Sequence, residues 1–215
     1  MREDTIRAAI VEACRSMSAL GLSQGTSGNI SVRHGDAMLI TPSATPYDAM
    51  RPDDIATMQL TAAGEWQGPR KPSTEWRFHR DILRARPDAG AIVHAHPMFC
   101  TTLAIARRAI PACHYMIALF GGADIRCAPY ATFGTQALSD HALRALDGRA
   151  ACLLANHGMI VLAPNLARAM WLAVELETIA RQYYQSLLIG GPVLLTAAQI
   201  AETAQRFSGY GHPDE

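Results

Sequence analysis

The chain has 215 residues, and its 19 basic and 19 acidic residues cancel to a net charge of zero. A protein with balanced charges lacks the long-range positive electrostatic field that is typical of proteins that bind nucleic acid or anionic membranes. We therefore expect neither partner. The five cysteines form no Cys-x-x-Cys pair, and the charged start leads into neither a signal core nor an apolar run of about 18 residues, which predicts a reduced, cytoplasmic protein.

The first third of the chain predicts a covering helix and two hairpins. Asp4 is a candidate N-cap for a helix whose apolar residues recur at helical spacing until Gly21 stops it. Residues 30–41 have the alternation and the turn residues of a β-hairpin. Residues 55–67 predict a second hairpin that turns at residues 63–64.

The rest of the chain alternates helices with short strands. Ser73 or Thr74 is expected to cap a helix that ends near residue 86. Further along we predict a helix at 101–108, strands near 112–120 and 125–128, a helix at 135–146 and strands at 150–162. Asn165 should cap a long helix to about residue 189, and Thr196 with Gln199 has the spacing of a capping box that opens the last helix.

This alternation, without repeats or a linker, predicts a single α/β domain over residues 1–215 with helices on both faces of a mixed sheet. A division into two domains near residue 88 is the alternative. We disfavour it because the residues that carry candidate chemistry fall on both sides of it. A chain of this length can bury its core without a metal, so a bound metal would serve chemistry more than folding.

Three histidines that follow apolar runs are the strongest candidates for chemistry. His94 and His96 are two residues apart, so a strand would project both imidazoles from one face, roughly 6.6 Å apart along it. His157 follows a second apolar run, and three neutral imidazoles are the protein ligands of many catalytic zinc sites. The alternative is three unrelated core or surface histidines. We favour a metalloenzyme because the third histidine also stands at a strand end.

Three turns rich in hydroxyl groups are candidates for binding an anion. Residues 25–29 combine two glycines, which allow a close backbone approach, with hydroxyl and amide donors. Residues 41–44 stand at a strand end, and residues 73–74 stand at a helix start, where backbone N–H groups favour phosphate. The turns could surround one phosphate, or they could be separate caps and turns.

Glu75 and His79 leave two interpretations open. They are four residues apart at the start of the helix, which imitates a metal-binding helix face. Alternatively Glu75 is the base that the histidine site lacks, or simply a solvated charge. Lys71 is the only lysine and stands beside a proline on an extended or turn segment, so a Schiff-base mechanism is disfavoured.

Six segments match one family in order across essentially the whole chain. They are GTSGNIS at 25–31, PSTEWRFH at 72–79, VHAH at 93–96, HYMI at 114–117, APYATFG at 128–134 and NHG at 156–158. Together they resemble the class II aldolases of the aldolase/adducin superfamily, and in particular the branch that acts on L-fuculose 1-phosphate. The resemblance implies a three-layer α/β/α fold around a mixed, mostly antiparallel sheet. It also implies a cyclic homotetramer whose active sites lie between subunits.

The resemblance assigns roles to individual residues. It makes His94, His96 and His157 ligands of one Zn²⁺ per subunit, although another divalent metal is possible, and it leaves His79 outside the ligand set. Glu75 becomes a fourth ligand in the resting enzyme and the acid/base once substrate displaces it. The phosphate site falls on Thr26, Gly28, Asn29, Ser43, Ala44, Ser73 and Thr74. Tyr115 would reach a neighbouring subunit's site as a proton donor, and Phe133 and Tyr210 would shape the aldehyde pocket.

Two positions depart from the family pattern. Ala44 stands where the family often has glycine, so a positive φ there would be strained. Asn156 stands where a histidine precedes the last ligand in the fuculose branch. Both departures bear on which sugar is used.

The implied reaction is reversible cleavage of a ketose 1-phosphate to dihydroxyacetone phosphate and a short aldehyde. Three sugar phosphates fit equally: L-fuculose 1-phosphate, 5-deoxyribulose 1-phosphate and 5-methylthioribulose 1-phosphate. A methylthioribulose-1-phosphate dehydratase and a pentulose-phosphate 4-epimerase are alternatives on the same fold. A non-catalytic, adducin-like interaction module is the alternative from another class.

Overall fold

The computed structural model describes residues 2–209, which form one seven-stranded sheet flanked by helices. The strands are β1 (Asn29–His34), β2 (Ala37–Ile40), β3 (Ala56–Gln59), β4 (Ala91–Ala95), β5 (Arg126–Ala128), β6 (Ala151–Leu154) and β7 (Gly158–Ala163). The helices are α1 (Glu3–Ala19), α2 (Trp76–Ala85), α3 (Met98–Ile105), α4 (Gln136–Ala145), α5 (Leu166–Leu187) and α6 (Ala197–Gly209), with short 3-10 helices at Pro52–Asp54 and Tyr115–Phe120.

The sheet is mixed and mostly antiparallel, in the order β3-β2-β1-β4-β7-β6-β5. Only the β5–β6 pairing is parallel. This confirms the predicted α/β fold with its mixed sheet. Strand β1 pairs with β4, so the sheet joins strands from both sides of residue 88. The assignment of the whole chain to one domain stays a prediction.

Two hydrophobic clusters, one on each face of the sheet, explain the three layers. Helices α1, α3 and α5 cover one face and α2 and α4 cover the other. Neighbouring residues of β4 alternate between them: Val93 belongs to the first cluster and Ile92 to the second, and both are fully buried. Burial of each such side chain contributes about 1.5–3 kcal/mol. The same alternation turns His94 toward the α2 face, where its ring contacts Phe78.

Several element boundaries predicted from the sequence are confirmed. Gly21 has φ +70° just after α1, and Asn165 caps α5 by accepting a hydrogen bond from the Arg168 N–H at 2.9 Å. Thr196 and Gln199 form the predicted capping box, with the Thr196 N–H donating to Gln199 Oε1 at 2.8 Å. The 30–41 hairpin is also present.

Other predictions were wrong, mostly where long-range contacts decide. The N-cap of α1 is Arg2 and not Asp4, and no side chain caps it. The second hairpin has no return strand, because only an isolated bridge joins Thr57 to Gln67. Helix α3 begins at residue 98, three residues earlier than expected, because the Glu177 carboxylate on α5 accepts hydrogen bonds from its first N–H groups. The apolar run near 112–120 forms a 3-10 helix and not a strand.

Helix α2 begins later than expected. Its N-cap is Glu75 and not Ser73 or Thr74, although the Ser73 hydroxyl accepts a hydrogen bond from the Glu75 N–H at 3.3 Å. The predicted end of α2 near residue 86 is confirmed.

All five cysteines are free thiols. Among the described residues, none of the helices combines the length and the apolar run that a membrane crossing needs.

Candidate active site

His94, His96 and His157, here called the histidine cluster, meet at one end of the central strands. His94 lies in β4, His96 follows its end, and His157 lies in the turn between β6 and β7. Their ring centroids are 4.8–4.9 Å apart, and His94 Nε2 and His96 Nε2 are separated by 2.9 Å. One ligand atom from each ring lies within 4.8 Å of the others, so this group could hold a metal ion.

The surroundings of His94 determine which ring nitrogen faces the cluster. His94 is fully buried, and its Nδ1 lies 2.8 Å from the Met159 carbonyl oxygen. A carbonyl oxygen can only accept, so Nδ1 carries a proton and donates to it, and Nε2 is the ring nitrogen that faces the cluster. A histidine that donates its other ring N–H to a backbone carbonyl is typical of a metal ligand.

Glu75 closes the cluster from the start of α2. Its Oε2 lies 3.1 Å from His94 Nε2, and its Oε1 lies 3.3 Å from His157 Nε2. Glu75 is 5% exposed, and Oε1 has no hydrogen-bond partner among the described residues. A buried carboxylate oxygen without a donor is unfavourable unless a cation satisfies it. Three ring nitrogens and one orphaned carboxylate oxygen therefore fit a divalent metal.

The electrostatics of the cluster agree with this fit. Burial by itself would raise the pKa of the Glu75 carboxyl, but the His94 and His157 imidazoles outweigh it and hold that pKa well below its usual range. Burial, followed by the charge on His94, lowers the pKa of His96 to about 3 and the pKa of His157 to about 4. Burial opposes a charge on His94 as well, although Glu75 raises its pKa. An ionised carboxylate thus stands beside His96 and His157, whose neutral rings can offer lone pairs, while the same carboxylate favours a proton on His94.

The cluster opens into a pocket of about 450 Å³ that the three hydroxyl-rich turns also line. The described residues around it that the sequence singled out are Thr26, Gly28, Asn29, Ser43, Ala44, Ser73, Thr74, Glu75, His96, Phe133 and His157. The sequence left open whether these turns meet. The structure brings them together around one space.

Backbone pairing places two of the turns side by side. Pro42 and Pro72 form an isolated antiparallel bridge, the Ser43 N–H donates to the Lys71 carbonyl, and the Ser73 N–H donates to the Thr41 carbonyl, each at 2.9 Å. Residues 41–44 and 71–74 therefore run next to each other, so their hydroxyl groups reach one pocket. The sequence gives no sign of this pairing because the two segments are thirty residues apart and contain prolines.

Two glycines allow the backbone to approach the cluster closely. A Cβ on Gly158 would lie 2.5 Å from both the Ala95 carbonyl oxygen and the His96 ring. A Cβ on Gly28 would lie 2.9 Å from the His94 carbonyl oxygen and 2.5 Å from the Met17 side chain. Larger residues at either position would push strands away from the histidines.

Both departures from the family pattern have left-handed backbone conformations. Ala44 has φ +49°, as the resemblance to a glycine position implied, and Asn156 has φ +55°. Asparagine tolerates this region better than alanine does. Asn156 also lines the pocket, and its Oδ1 accepts a hydrogen bond from Arg107 Nε at 3.1 Å.

Three other residues that the sequence analysis considered do not line the pocket or lie outside the residues that the structure describes. Tyr115 is 50% exposed and does not line the pocket, and its ring packs against His114 and Phe207. Tyr210 lies outside the described residues. Lys71 is exposed and also outside the pocket lining.

Sequence reasoning missed a hydrogen-bonded chain behind Glu75. Asn29 Nδ2 donates to Glu75 Oε2 at 2.9 Å, and Asn29 Oδ1 lies 2.5 Å from Nε2 of the fully buried His79. His79 Nδ1 lies 2.7 Å from the Ser31 hydroxyl. Both ring nitrogens of His79 are thus engaged, so it has no free ligand atom for a metal. The sequence signal for this chain was the alternation of Asn29 and Ser31 on one strand face, together with the helical spacing of Glu75 and His79.

Sequence reasoning also missed two residues of the pocket wall, Tyr130 and Ala131, which line the pocket beside Phe133.

Comparisons with known proteins agree with this geometry. The family model for the class II aldolase and adducin N-terminal domain matches residues 8–184. A 5-methylthioribulose-1-phosphate/5-deoxyribulose-1-phosphate aldolase from Rhodospirillum rubrum is 52% identical over 96% of this chain and 92% of its own length. An L-fuculose phosphate aldolase from Escherichia coli K12 is 45% identical over 98% of both chains. A solved structure of L-fuculose 1-phosphate aldolase superposes with a TM-score of 0.91 at 36% identity, covering 95% of this chain and 96% of that one.

Proposed function

The chain belongs to the class II aldolase and adducin family, and we propose that it is a ketose-1-phosphate aldolase, a metal-dependent aldehyde-lyase. One observation carries the proposal: Glu75, three hydroxyl-rich turns and two members of the histidine cluster, His96 and His157, line one pocket, with His94 buried directly behind them. A site for a metal ion next to a site for a phosphate group is the arrangement that suits a sugar phosphate as substrate. Relatives named as aldolases of 5-methylthioribulose 1-phosphate, 5-deoxyribulose 1-phosphate and fuculose phosphate confirm the reaction class predicted from the sequence.

The metal that we propose is zinc, one ion per subunit, held by the histidine cluster with Glu75 as the fourth ligand. Three imidazoles with one carboxylate are within the donor set that Zn²⁺ prefers, although another divalent ion would fit the same donors. When bound, the ion acts as a Lewis acid on the ketose carbonyl and stabilises the negative charge left by carbon–carbon cleavage. The pinned Nδ1–H of His94 and the buried, ionised Glu75 prepare the ligands before substrate arrives.

Glu75 is the proposed acid/base. It lies 3.1 Å and 3.3 Å from two of the ring nitrogens and also lines the substrate pocket, so it can reach both a metal and a substrate carbon. Its carboxylate would take or return the proton at C3 of the dihydroxyacetone phosphate moiety. A base must be within hydrogen-bond reach of the proton it moves, and burial next to the cluster holds Glu75 there.

The phosphate is proposed to bind at Thr26, Gly28, Asn29, Ser43, Ala44, Ser73 and Thr74. These residues supply hydroxyl and backbone N–H donors from three turns. Ser73 and Thr74 lie directly before the N-terminus of α2. Helix N-termini favour anions because their first N–H groups are unpaired and their dipole is positive there. The site needs no lysine or arginine to attract the phosphate.

Tyr115 is the proposed proton donor to the aldehyde oxygen, acting in the site of a neighbouring subunit of a homotetramer. Its half-exposed ring lies outside its own chain's pocket. This position supports a role in another chain's site and not in the pocket of its own chain. Closed cyclic symmetry would give every pocket one such tyrosine.

The aldehyde that leaves is proposed to be short and partly apolar. Phe133, with Tyr130 and Ala131, gives the pocket an apolar side. The role of Tyr210 at the aldehyde end stays a prediction from the resemblance. Lactaldehyde, acetaldehyde and methylthioacetaldehyde all have a small tail of this kind.

The cytoplasmic location stays a prediction from the sequence.

The test is a turnover panel on purified, zinc-loaded protein with L-fuculose 1-phosphate, 5-deoxyribulose 1-phosphate and 5-methylthioribulose 1-phosphate. We expect dihydroxyacetone phosphate and the matching aldehyde from at least one of them. Release of water without carbon–carbon cleavage would identify a dehydratase, and inversion at C4 would identify an epimerase. Absence of bound metal together with absence of turnover would favour the adducin-like interaction module.

A further inference from the structure

His79 is buried directly behind Glu75 and has no part in the metal or substrate contacts described above. It is fully buried, and both of its ring nitrogens make short hydrogen bonds to residues of β1. Asn29 links it to the Oε2 atom of Glu75. Four side chains, Ser31, His79, Asn29 and Glu75, therefore form one continuous chain of hydrogen bonds that ends at the histidine cluster.

The chain of bonds has only one consistent direction. The ionised Glu75 carboxylate can only accept, so the Asn29 amide must turn its Nδ2 toward Glu75 and its Oδ1 toward His79. The Asn29 oxygen can also only accept, so His79 Nε2 must carry the proton. His79 Nδ1 then has a lone pair and accepts from the Ser31 hydroxyl at 2.7 Å.

The opposite amide orientation would set two oxygens against each other. With Asn29 rotated, its Oδ1 would face Glu75 Oε2 at the observed separation of 2.9 Å. That contact is repulsive in a buried site, where no water screens it. The Glu75 carboxylate therefore selects the Asn29 amide orientation, and the Asn29 oxygen selects the His79 tautomer. The Ser31 hydroxyl, which can donate or accept, then donates to His79 Nδ1.

Regular secondary structure holds these four groups in place. Asn29 and Ser31 alternate on one face of β1, while Glu75 and His79 are one turn apart at the start of α2. Asn29 is also the register partner of His94 across the β1–β4 pair. A helix thus faces a strand at the point where that strand meets the histidine cluster, and the hydrogen bonds fix Glu75 relative to His94.

We propose that His79 is a positioning residue for Glu75: its Nε2–H donates to Oδ1 of Asn29 and holds the Asn29 amide with Nδ2 on Oε2 of Glu75, so that Oε2 is anchored and Oε1 accepts no hydrogen bond. This rests on the proposed function, in which Glu75 is both metal ligand and acid/base. Oε1 is the buried carboxylate oxygen that has no hydrogen-bond partner among the described residues. Leaving one oxygen free allows Glu75 to bind the metal and afterwards the substrate proton without losing its anchor.

Three variants separate positioning from simple packing. His79→Leu removes both hydrogen bonds. His79→Gln restores an N–H close to the Nε2 position and keeps the donor to Asn29. Ser31→Ala keeps the ring and its donor to Asn29 but removes the hydrogen bond at Nδ1. His141→Gln is the matched control, because His141 on α4 hydrogen-bonds with Arg144 and does not line the pocket.

The full-length protein is measured in four ways: kcat and KM for the ketose 1-phosphate that it cleaves, Zn²⁺ affinity by chelator competition, melting temperature, and ¹⁵N NMR of the histidine rings. We expect His79→Leu to lower kcat and Zn²⁺ affinity about 10- to 100-fold, as is typical when a partner that orients a metal ligand is lost, with a smaller rise in KM. His79→Gln should recover kcat to within about fivefold of wild type, the cost of the single hydrogen bond to Ser31. In the NMR spectrum, His79 should be protonated at Nε2 alone, and Ser31→Ala should keep that tautomer, because the Asn29 oxygen still accepts from Nε2.

Equal losses in His79→Gln and His79→Leu, or a wild-type His79 protonated at Nδ1, would overturn the proposal. An unchanged kcat in His79→Leu would do the same. If His79→Leu does not fold, the Gln variant and the tautomer decide the outcome. A wild-type protein that cleaves no ketose 1-phosphate would refute the proposed function instead, while the zinc affinities and the NMR spectrum would still test whether His79 positions Glu75.

Discussion

The histidine cluster and the Tyr115 segment differ in how completely one chain builds them. The cluster is assembled within the described residues from β4, the turn between β6 and β7 and the start of α2, and His94 is fully buried. Tyr115 begins a 3-10 helix at the surface and is half-exposed, and its ring packs against His114 and Phe207. The comparison teaches that a single chain arranges the candidate metal ligands and the proposed phosphate donors in advance, whereas the proposed role of Tyr115 requires a neighbouring subunit.

The physical reason for this difference is the rigidity of the supporting backbone. Strand pairing fixes the spacing and direction of the histidines, because alternate residues must share a face and both neighbours of β4 are hydrogen-bonded to it. A short 3-10 helix has poorer hydrogen-bond geometry and holds its side chains less firmly. A surface side chain of that kind gains its order from whatever packs against it.

Removal of a metal ligand should have the largest effect on activity. His94→Ala should lose the metal and reduce turnover by about 1000-fold or more, since Lewis-acid stabilisation supplies several kcal/mol. The protein should stay folded, because both hydrophobic clusters are built from apolar side chains and include none of the three histidines. Metal analysis and circular dichroism check the two halves of this expectation.

Lys71→Ala is the control, and it should retain full activity. A strong chelator should abolish wild-type turnover, and borohydride with substrate should leave it intact, because no Schiff base forms. Covalent trapping of substrate on Lys71 would contradict the metal mechanism.

Replacement of the proposed base should have the next largest effect. Glu75→Gln keeps the shape of the side chain and the hydrogen bond from Asn29, so most of the metal should remain. Loss of the base should lower kcat by about 100-fold or more. Glu12→Gln, at an exposed glutamate of α1, is the matched control. Turnover that stays unchanged in Glu75→Gln would leave the carboxylate with only a metal-binding role.

The contribution of Tyr115 is expected to be smaller and to depend on mixing of chains. Tyr115→Phe should slow cleavage with little change in phosphate affinity, because the hydroxyl is proposed to act on the aldehyde oxygen. Mixed with inactive His94→Ala chains, it should give tetramers in which about one quarter of the sites pair an intact metal set with an intact neighbouring tyrosine. Activity of unfolded and refolded mixtures measures this restoration.

Mixtures no more active than the sum of the two parents would refute the shared site. An active monomer by light scattering would refute it as well. Parents refolded separately and then combined are the control for chain exchange.

The smallest expected effect concerns backbone strain at Ala44. Its φ of +49° costs an L-residue about 1–2 kcal/mol, and glycine would remove that cost. The greater freedom of glycine in the unfolded chain offsets about 0.4–1 kcal/mol of the gain. Ala44→Gly should therefore raise the urea midpoint slightly and leave KM unchanged, because the backbone N–H is kept. A lower midpoint would show that the pocket relieves the strain in another way.

The sequence by itself determined the class of fold and the identity of the chemical groups. Helical spacing, Gly21, Asn165 and the Thr196–Gln199 pair predicted element types that local contacts enforce, so they did not depend on distant residues. His94 and His96 share a strand face for the same local reason.

Only the tertiary structure decided which groups meet and how each is oriented. The start of α3 depends on a carboxylate of α5, and the junction of the 41–44 and 71–74 turns depends on bridge pairing between distant segments. The apolar run near Tyr115 was compatible with a strand or a helix until packing selected a 3-10 helix. The link from Ser31 through His79 to Glu75 joins residues more than forty positions apart, and long-range hydrogen bonds leave no periodic trace in a sequence.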